Sequence, residues 1–140
     1  DYNNHLNMAY YVLIFDQACE VILEKFKMGA DSAKNDQRST MVVETNTKYI
    51  SEVKEGDEVD IMLTFLDHDK KRLHLKLEII EKKTKKISAS IEWLSLYVNL
   101  ETRKVTEFEK IKIKIMDDFM FKNKENFNSE NLKFSSKLKK

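Results

Sequence analysis

The sequence predicts an α+β fold in which one long helix is followed by an antiparallel sheet. Three observations lead there. Apolar residues recur at helical spacing at Tyr11, Phe15, Ala18, Ile22 and Phe26. The period then changes to two: Val59, Ile61, Leu63 and Phe65, and later Leu73, Leu75, Leu77 and Ile79, each alternate with their neighbours. Short polar turns, Glu55-Gly56-Asp57 and Asp67-His68-Asp69-Lys70, separate these runs, which makes the strands a meander. One helix set against such a sheet is an α+β arrangement.

Taken in order, Asn7 is expected to cap a helix running from about Met8 to Met28, with Gly29 as its stop. Asp16, Glu20 and Glu24 form an acidic stripe on a face away from the apolar one. Residues 30–38 read as a polar loop. Thr40 to Val53 is rich in β-branched residues and reads as the first strand. In the strand at 73–79, Arg72, His74, Lys76 and Glu78 occupy the polar face, so His74 is expected at the surface. Lys82 to Lys86 turns the chain into a long strand from Ile87 to Val98, which ends at Asn99-Leu100-Glu101-Thr102. Residues 105–115 fit strand or helix. From Lys122 onward the chain is Lys, Asn and Ser with few apolar residues, and is expected to be a frayed or partly helical tail. The division is a single domain over 1–121 and a tail over 122–140.

Composition narrows the class. A chain of 140 residues is one domain's length. Its 25 basic and 24 acidic residues leave a net charge of +1, which argues against nucleic acid as the main partner. No apolar run approaches the roughly 20 residues that span a bilayer. No membrane partner is expected, and the expected location is cytoplasmic. Cys19 is the only cysteine and sits among apolar helix residues, so it reads as a buried small side chain rather than a nucleophile. The three histidines lack ligand spacing, so no metal and no cofactor are expected. His68 reads as a solvated turn residue. The Lys clusters at 82–86 and 137–140 read as solvated faces.

Chemistry concentrates at the start. Asp1, Asn3, His5 and Asn7 lie two apart, directly before a helix N-terminus. An Asp there can attack an acyl carbon or activate water, and Asn and His can orient the reacting groups. The free N–H groups of the first helical turn, near Met8 and Ala9, can polarise a carbonyl. From spacing alone, an Asx-rich helix cap is the stronger reading.

The wording of the segment changes that. Asp1-Tyr2-Asn3-Asn4-His5-Leu6-Asn7-Met8-Ala9-Tyr10-Tyr11 resembles the D-x-N-G-H-x-N-x-x-Y-Y signature of hotdog-fold thioesterases of the 4-hydroxybenzoyl-CoA thioesterase-like group, nearest to the branch associated with carnitine and betaine metabolism. Val43 to Asp57, Ala89 to Leu94 and Thr102-Arg103-Lys104 resemble later segments of that branch, in order. The resemblance covers about residues 1–115.

It implies a central helix wrapped by an antiparallel sheet, hydrolysis of a small or medium acyl-CoA, and a homodimer or dimer of dimers with sites at the subunit interface. Asp1 matches the catalytic aspartate. Asn3 and His5 match the D-x-N-x-H pattern. Glu44 lies where a second acidic group would enter. The family's first strand ordinarily precedes the motif, so it is expected ahead of Asp1. Two departures stand out: Asn4 replaces the usual Gly, and Tyr97-Val98-Asn99 replaces a His-Val-Asp. Trp93 and Tyr97 share a strand face and are candidates to stack on a cationic acyl group, although aromatics at this spacing are more often core. The rival readings are a non-catalytic hotdog module that binds acyl-CoA or serves assembly, and an unrelated α+β binding domain.

Overall fold

The computed structural model describes residues 7–140. Helix α1 spans Met8–Lys25 and is capped by Asn7, whose side chain accepts from the N–H groups of Ala9 and Tyr10. Tyr11, Phe15, Cys19 and Leu23 form its buried stripe, with Ile14, Ala18 and Ile22 only partly covered. Ala18 and Ile22 are therefore less buried than their spacing predicts, and Cys19 and Leu23 take the inner positions. The helix ends before the expected Gly29. Lys27 takes a left-handed conformation (φ 59°), its N–H donates to Glu24 O at 3.1 Å, and Met28 N–H donates to Leu23 O at 2.9 Å. This paired closure ordinarily uses Gly at the left-handed position. Gly29 instead leaves room for the Glu24 side chain, which accepts from Ala30 N–H.

After a short π-helical turn at Ser32–Asp36 come strands β1 (Arg38–Tyr49), β2 (Val59–His68), β3 (Arg72–Glu81) and β4 (Ile87–Asn99). All pair antiparallel in the order β1-β4-β3-β2, and the short β5 (Lys104–Val105) pairs with the end of β4. The predicted meander is present, but β1 closes against β4 rather than its chain neighbour. A bulge between Val42 and Glu44 inserts one residue into β1. It turns Val42 and Thr45 to the same side of the sheet, the α1 side, while Glu44 points to the other.

The ambiguous stretch at 105–115 resolves into β5 and then helix α2 (Lys110–Asn123). Helix α2 joins the core through Met116, which is fully buried, and through Phe119, which meets the Phe26 ring edge-on at 5.4 Å. The core lies between α1, α2 and one face of the sheet, where Leu73, Leu75, Leu77, Ile79, Ile91 and Tyr97 are all nearly or fully buried.

The segment after Asn123 corrects the expectation of a fraying tail. Asn128 N–H donates to Thr64 O on strand β2, and the chain continues onto the back of the sheet, away from α1. There Phe134 is buried, and the N–H groups of Lys133 and Phe134 donate to the Glu92 carboxylate at 2.8–2.9 Å. Further on, Lys139 N–H donates to Asp69 Oδ2 at 2.8 Å.

This cover also corrects the expectation for His74. It lies on the face that alternation assigned to solvent, yet it is fully buried, with Nε2 2.7 Å from Glu92 Oε2. Period-two alternation identifies the two faces of a strand but not what covers the second one. His68 is corrected too. It is largely buried, with Nδ1 against Asp69 O and Nε2 2.6 Å from Asp117 Oδ1 on α2.

Candidate active site

The candidate site lies at the N-terminal end of α1. Asn7 is extended (φ −83°, ψ 166°), so its side chain folds over the first turn and accepts from Ala9 N–H at 3.0 Å and Tyr10 N–H at 3.3 Å. No acidic side chain occupies that first turn. The positive end of the helix dipole is thus left available to a developing negative charge. Of the two amides expected to face an oxyanion, that of Ala9 is engaged by the cap. Asp1, Asn3 and His5, the expected reacting and orienting residues, lie outside the described residues, in the segment leading directly into this cap.

A groove of about 470 Å³ runs along α1 from this end. Ala9, Val12, Leu13 and Asp16 form one wall, at the i, i+3, i+4, i+7 spacing of a single helix face. Val42, Thr45 and Thr47 of β1 and Ile91 and Trp93 of β4 form the other side. The register sets this pairing, with Thr45 opposite Trp93 and Thr47 opposite Ile91. Trp93 is only 6% exposed, and among the described residues nothing accepts from its indole Nε1–H. The groove is lined mainly by apolar side chains, with Thr45, Thr47 and Asp16 as its polar members, which is the usual composition of a ligand cleft.

Trp93 thus sits where a ligand can meet it, but Tyr97 does not join it. The Tyr97 ring is fully buried and stacks on Phe108 at 4.6 Å. Its hydroxyl is 2.6 Å from Lys112 Nζ, a buried cation that also meets Glu109 at 2.7 Å and Ser32 Oγ at 3.2 Å. Burial, and after it the nearby Glu109 carboxylate, hold the Tyr97 hydroxyl above its ordinary pKa, so it stays protonated. Sequence reasoning placed both aromatics on one face correctly, but α2 covers the Tyr97 end.

Glu44 is half-exposed and points to the back of the sheet, 3.9 Å from Lys137 Nζ, so it does not line this chain's own groove. Cys19 matches its sequence reading. It is buried, and burial, with the Glu20 and Asp16 charges adding to it, pushes its thiol up to about 12. It is thus no nucleophile at neutral pH. Sequence reasoning missed Thr45, Thr47, Val42 and Asp16. The signal for Asp16 was present: it falls on one helical face with Ala9, Val12 and Leu13, a second stripe beside the buried one.

A helix lying on one face of a long antiparallel sheet, with the groove at the helix N-terminus, is the hotdog arrangement that the sequence predicts. The sequence model of the Thioesterase-like superfamily matches residues 1–117. The chain belongs to that superfamily and is a hotdog-fold thioester hydrolase. It is 29% identical over 109 residues to the betainyl-CoA thioesterase of Pseudomonas aeruginosa, covering 78% of this chain and 69% of that protein. It is 28% identical over 105 residues to the L-carnitine dehydrogenase/betainyl-CoA thioesterase of Rhizobium meliloti. That match covers 74% of this chain but only 21% of the longer protein. A Staphylococcus aureus protein solved in complex with CoA superposes with a TM-score of 0.83, over 100% of this chain and 85% of that one, at 23% identity.

Proposed function

We propose that the chain hydrolyses acyl-CoA thioesters to free acid and CoA, with betainyl-CoA or a related cationic acyl-CoA as the preferred substrate. The observation that carries the reading is the position of the groove: it starts at the capped end of α1, into which the Asp1–Asn7 segment leads. The acyl group lies along Ala9, Val12 and Trp93, with its carbonyl at the helix end. Asp1 either deprotonates a water that adds to the carbonyl or adds to it itself, forming an anhydride that water then hydrolyses. In both routes the proton taken from water ends on the CoA sulfur, while Asn3 and His5 orient the reacting groups. The Met8 N–H and the helix dipole stabilise the oxyanion, and the C–S bond breaks to release CoA as its thiol. The relatives that act on betainyl-CoA support the choice of acyl group. With Tyr97 closed into the core, Trp93 alone supplies the aromatic face.

The test is thiol release across an acyl-CoA panel. Betainyl-CoA should exceed isovaleryl-CoA, close in shape but uncharged, by roughly tenfold in kcat/KM, the worth of one desolvated cation–π contact. Equal rates would leave a general acyl-CoA thioesterase. Binding without thiol release from any acyl-CoA would leave a non-catalytic module.

The active assembly in this reading is a homodimer or a dimer of dimers. Among the described residues β1 is an edge strand, and Met41 and Val43, which do not line the groove, are exposed along it. A second copy along this edge would cover these apolar side chains and the unpaired strand. Light scattering at micromolar concentration should give at least twice the 16.6 kDa chain mass. A monomer would remove the interface from the mechanism.

A further inference from the structure

The acidic stripe noted in the sequence acquires a role for one of its members. Only Asp16 of Asp16, Glu20 and Glu24 lines the groove, opposite Trp93. Among the described residues no cation pairs with Asp16. Taken alone, a carboxylate beside an apolar cleft is an ordinary surface charge. Trp93 supplies the second observation, because it lines the same groove from the sheet side and adds an aromatic side chain to a site that already holds a carboxylate. The groove therefore presents a carboxylate and an aromatic side chain to one occupant. A short acyl group that carries a quaternary ammonium suits both.

Asp16 lies seven residues beyond Ala9, about 10 Å along the helix axis, and helical side chains lean back toward the N-terminus. In a betainyl group two bonds, about 2.5 Å, separate the carbonyl carbon from the nitrogen. The methyl groups keep a carboxylate roughly 4–5 Å from that nitrogen. An acyl carbonyl held at the end of α1 thus brings its cation within Coulomb range of Asp16. A quaternary ammonium has no N–H to donate, so recognition comes from charge and an aromatic face rather than a hydrogen bond, and one carboxylate with one indole is a sufficient pair.

We infer that Asp16 is the specificity-determining residue for a cationic acyl group, acting as the counter-charge in the groove while Trp93 supplies the wall. This rests on reading the groove as the acyl site. The experiment compares betainyl-CoA with 3,3-dimethylbutanoyl-CoA, its neutral carbon isostere, in wild type, Asp16→Asn and Asp16→Glu. The quantity read is the ratio of the two kcat/KM values, with circular dichroism and light scattering as controls of fold and assembly. In Asp16→Asn the ratio should fall about tenfold, and Asp16→Glu should restore most of it. In wild type the ratio should also fall with added KCl, and in Asp16→Asn it should not. A ratio unchanged by Asp16→Asn overturns the inference, as does a proportional loss on both substrates with an altered assembly state, which would make Asp16 an interface residue. Wild type that hydrolyses the neutral thioester but not betainyl-CoA overturns the inference alone. Wild type that hydrolyses neither overturns the acyl-site reading as well.

Discussion

Asp1→Asn is expected to lower acyl-CoA hydrolysis by about 100-fold or more, the usual scale for loss of a general base or an attacking carboxylate. Asp1 is the only carboxylate between residues 1 and 15, so no neighbour in the opening segment can take over its role. An amide of the same shape neither accepts a proton from water nor attacks a thioester at neutral pH. The groove, the Asn7 cap and the first-turn dipole all remain in the variant, so the loss should appear in kcat more than in KM. Thiol release under saturating and limiting acyl-CoA gives both constants, and circular dichroism shows whether the fold is retained. Wild-type turnover in a folded Asp1→Asn protein would move the chemistry out of the opening segment.

The helix cap, the long strands and the meander were legible because each depends on local chemistry. Asn7 accepts from two first-turn amides as an N-cap does, and the β3 residues that alternate at 73–79 form the inner wall of the core. What was not legible depends on contacts far apart in sequence. Lys112 meets Tyr97 across 15 positions and Ser32 across 80, so no window around Tyr97 reveals that α2 closes over it. His74 looks like a surface residue in its own strand, and its burial is decided by Phe134, 60 residues on. The tail looks disordered by composition. It holds only a few aromatic anchors, Phe127 and Phe134 among them, and its docking depends on acidic side chains in the sheet accepting its backbone N–H groups. The candidate site follows the same division. Its motif is local and was read from the sequence, whereas the groove wall needed the β1 bulge that turns Val42 and Thr45 to one side.

That tail anchor gives the largest expected effect on stability. Glu92 sits on the central strand β4 with its side chain 2% exposed, and it serves three donors: His74 Nε2 and the N–H groups of Lys133 and Phe134. Burial alone would raise its pKa. The two backbone N–H groups and His74 outweigh burial and hold the carboxyl below its ordinary range. Glu92→Ala removes the acceptor and leaves all three donors in place, while Phe134 loses the bonds that seat it. Breaking a buried pair in this way costs about 3–5 kcal/mol, a large share of the 5–15 kcal/mol that holds a domain together. Glu92→Gln should cost less, roughly 1–2 kcal/mol, because its amide oxygen still accepts from the tail and its NH2 can face a His74 ring in the other tautomer. Thermal unfolding should rank wild type, Glu92→Gln and Glu92→Ala in that order. Trypsin should cut at Lys137 and Lys139 sooner in the alanine variant. The depressed carboxyl also sets a pH window. Glu92 contributes its stabilisation above its unfolded pKa, about 4.3, and that contribution is lost as pH falls through the lower folded value. Wild-type stability should therefore decline more steeply below about pH 4 than that of Glu92→Ala. If the alanine variant matches wild type in melting temperature and in tryptic cleavage of the tail, Glu92 is not the anchor, and the segment is held by Phe134 packing and Asp69 instead.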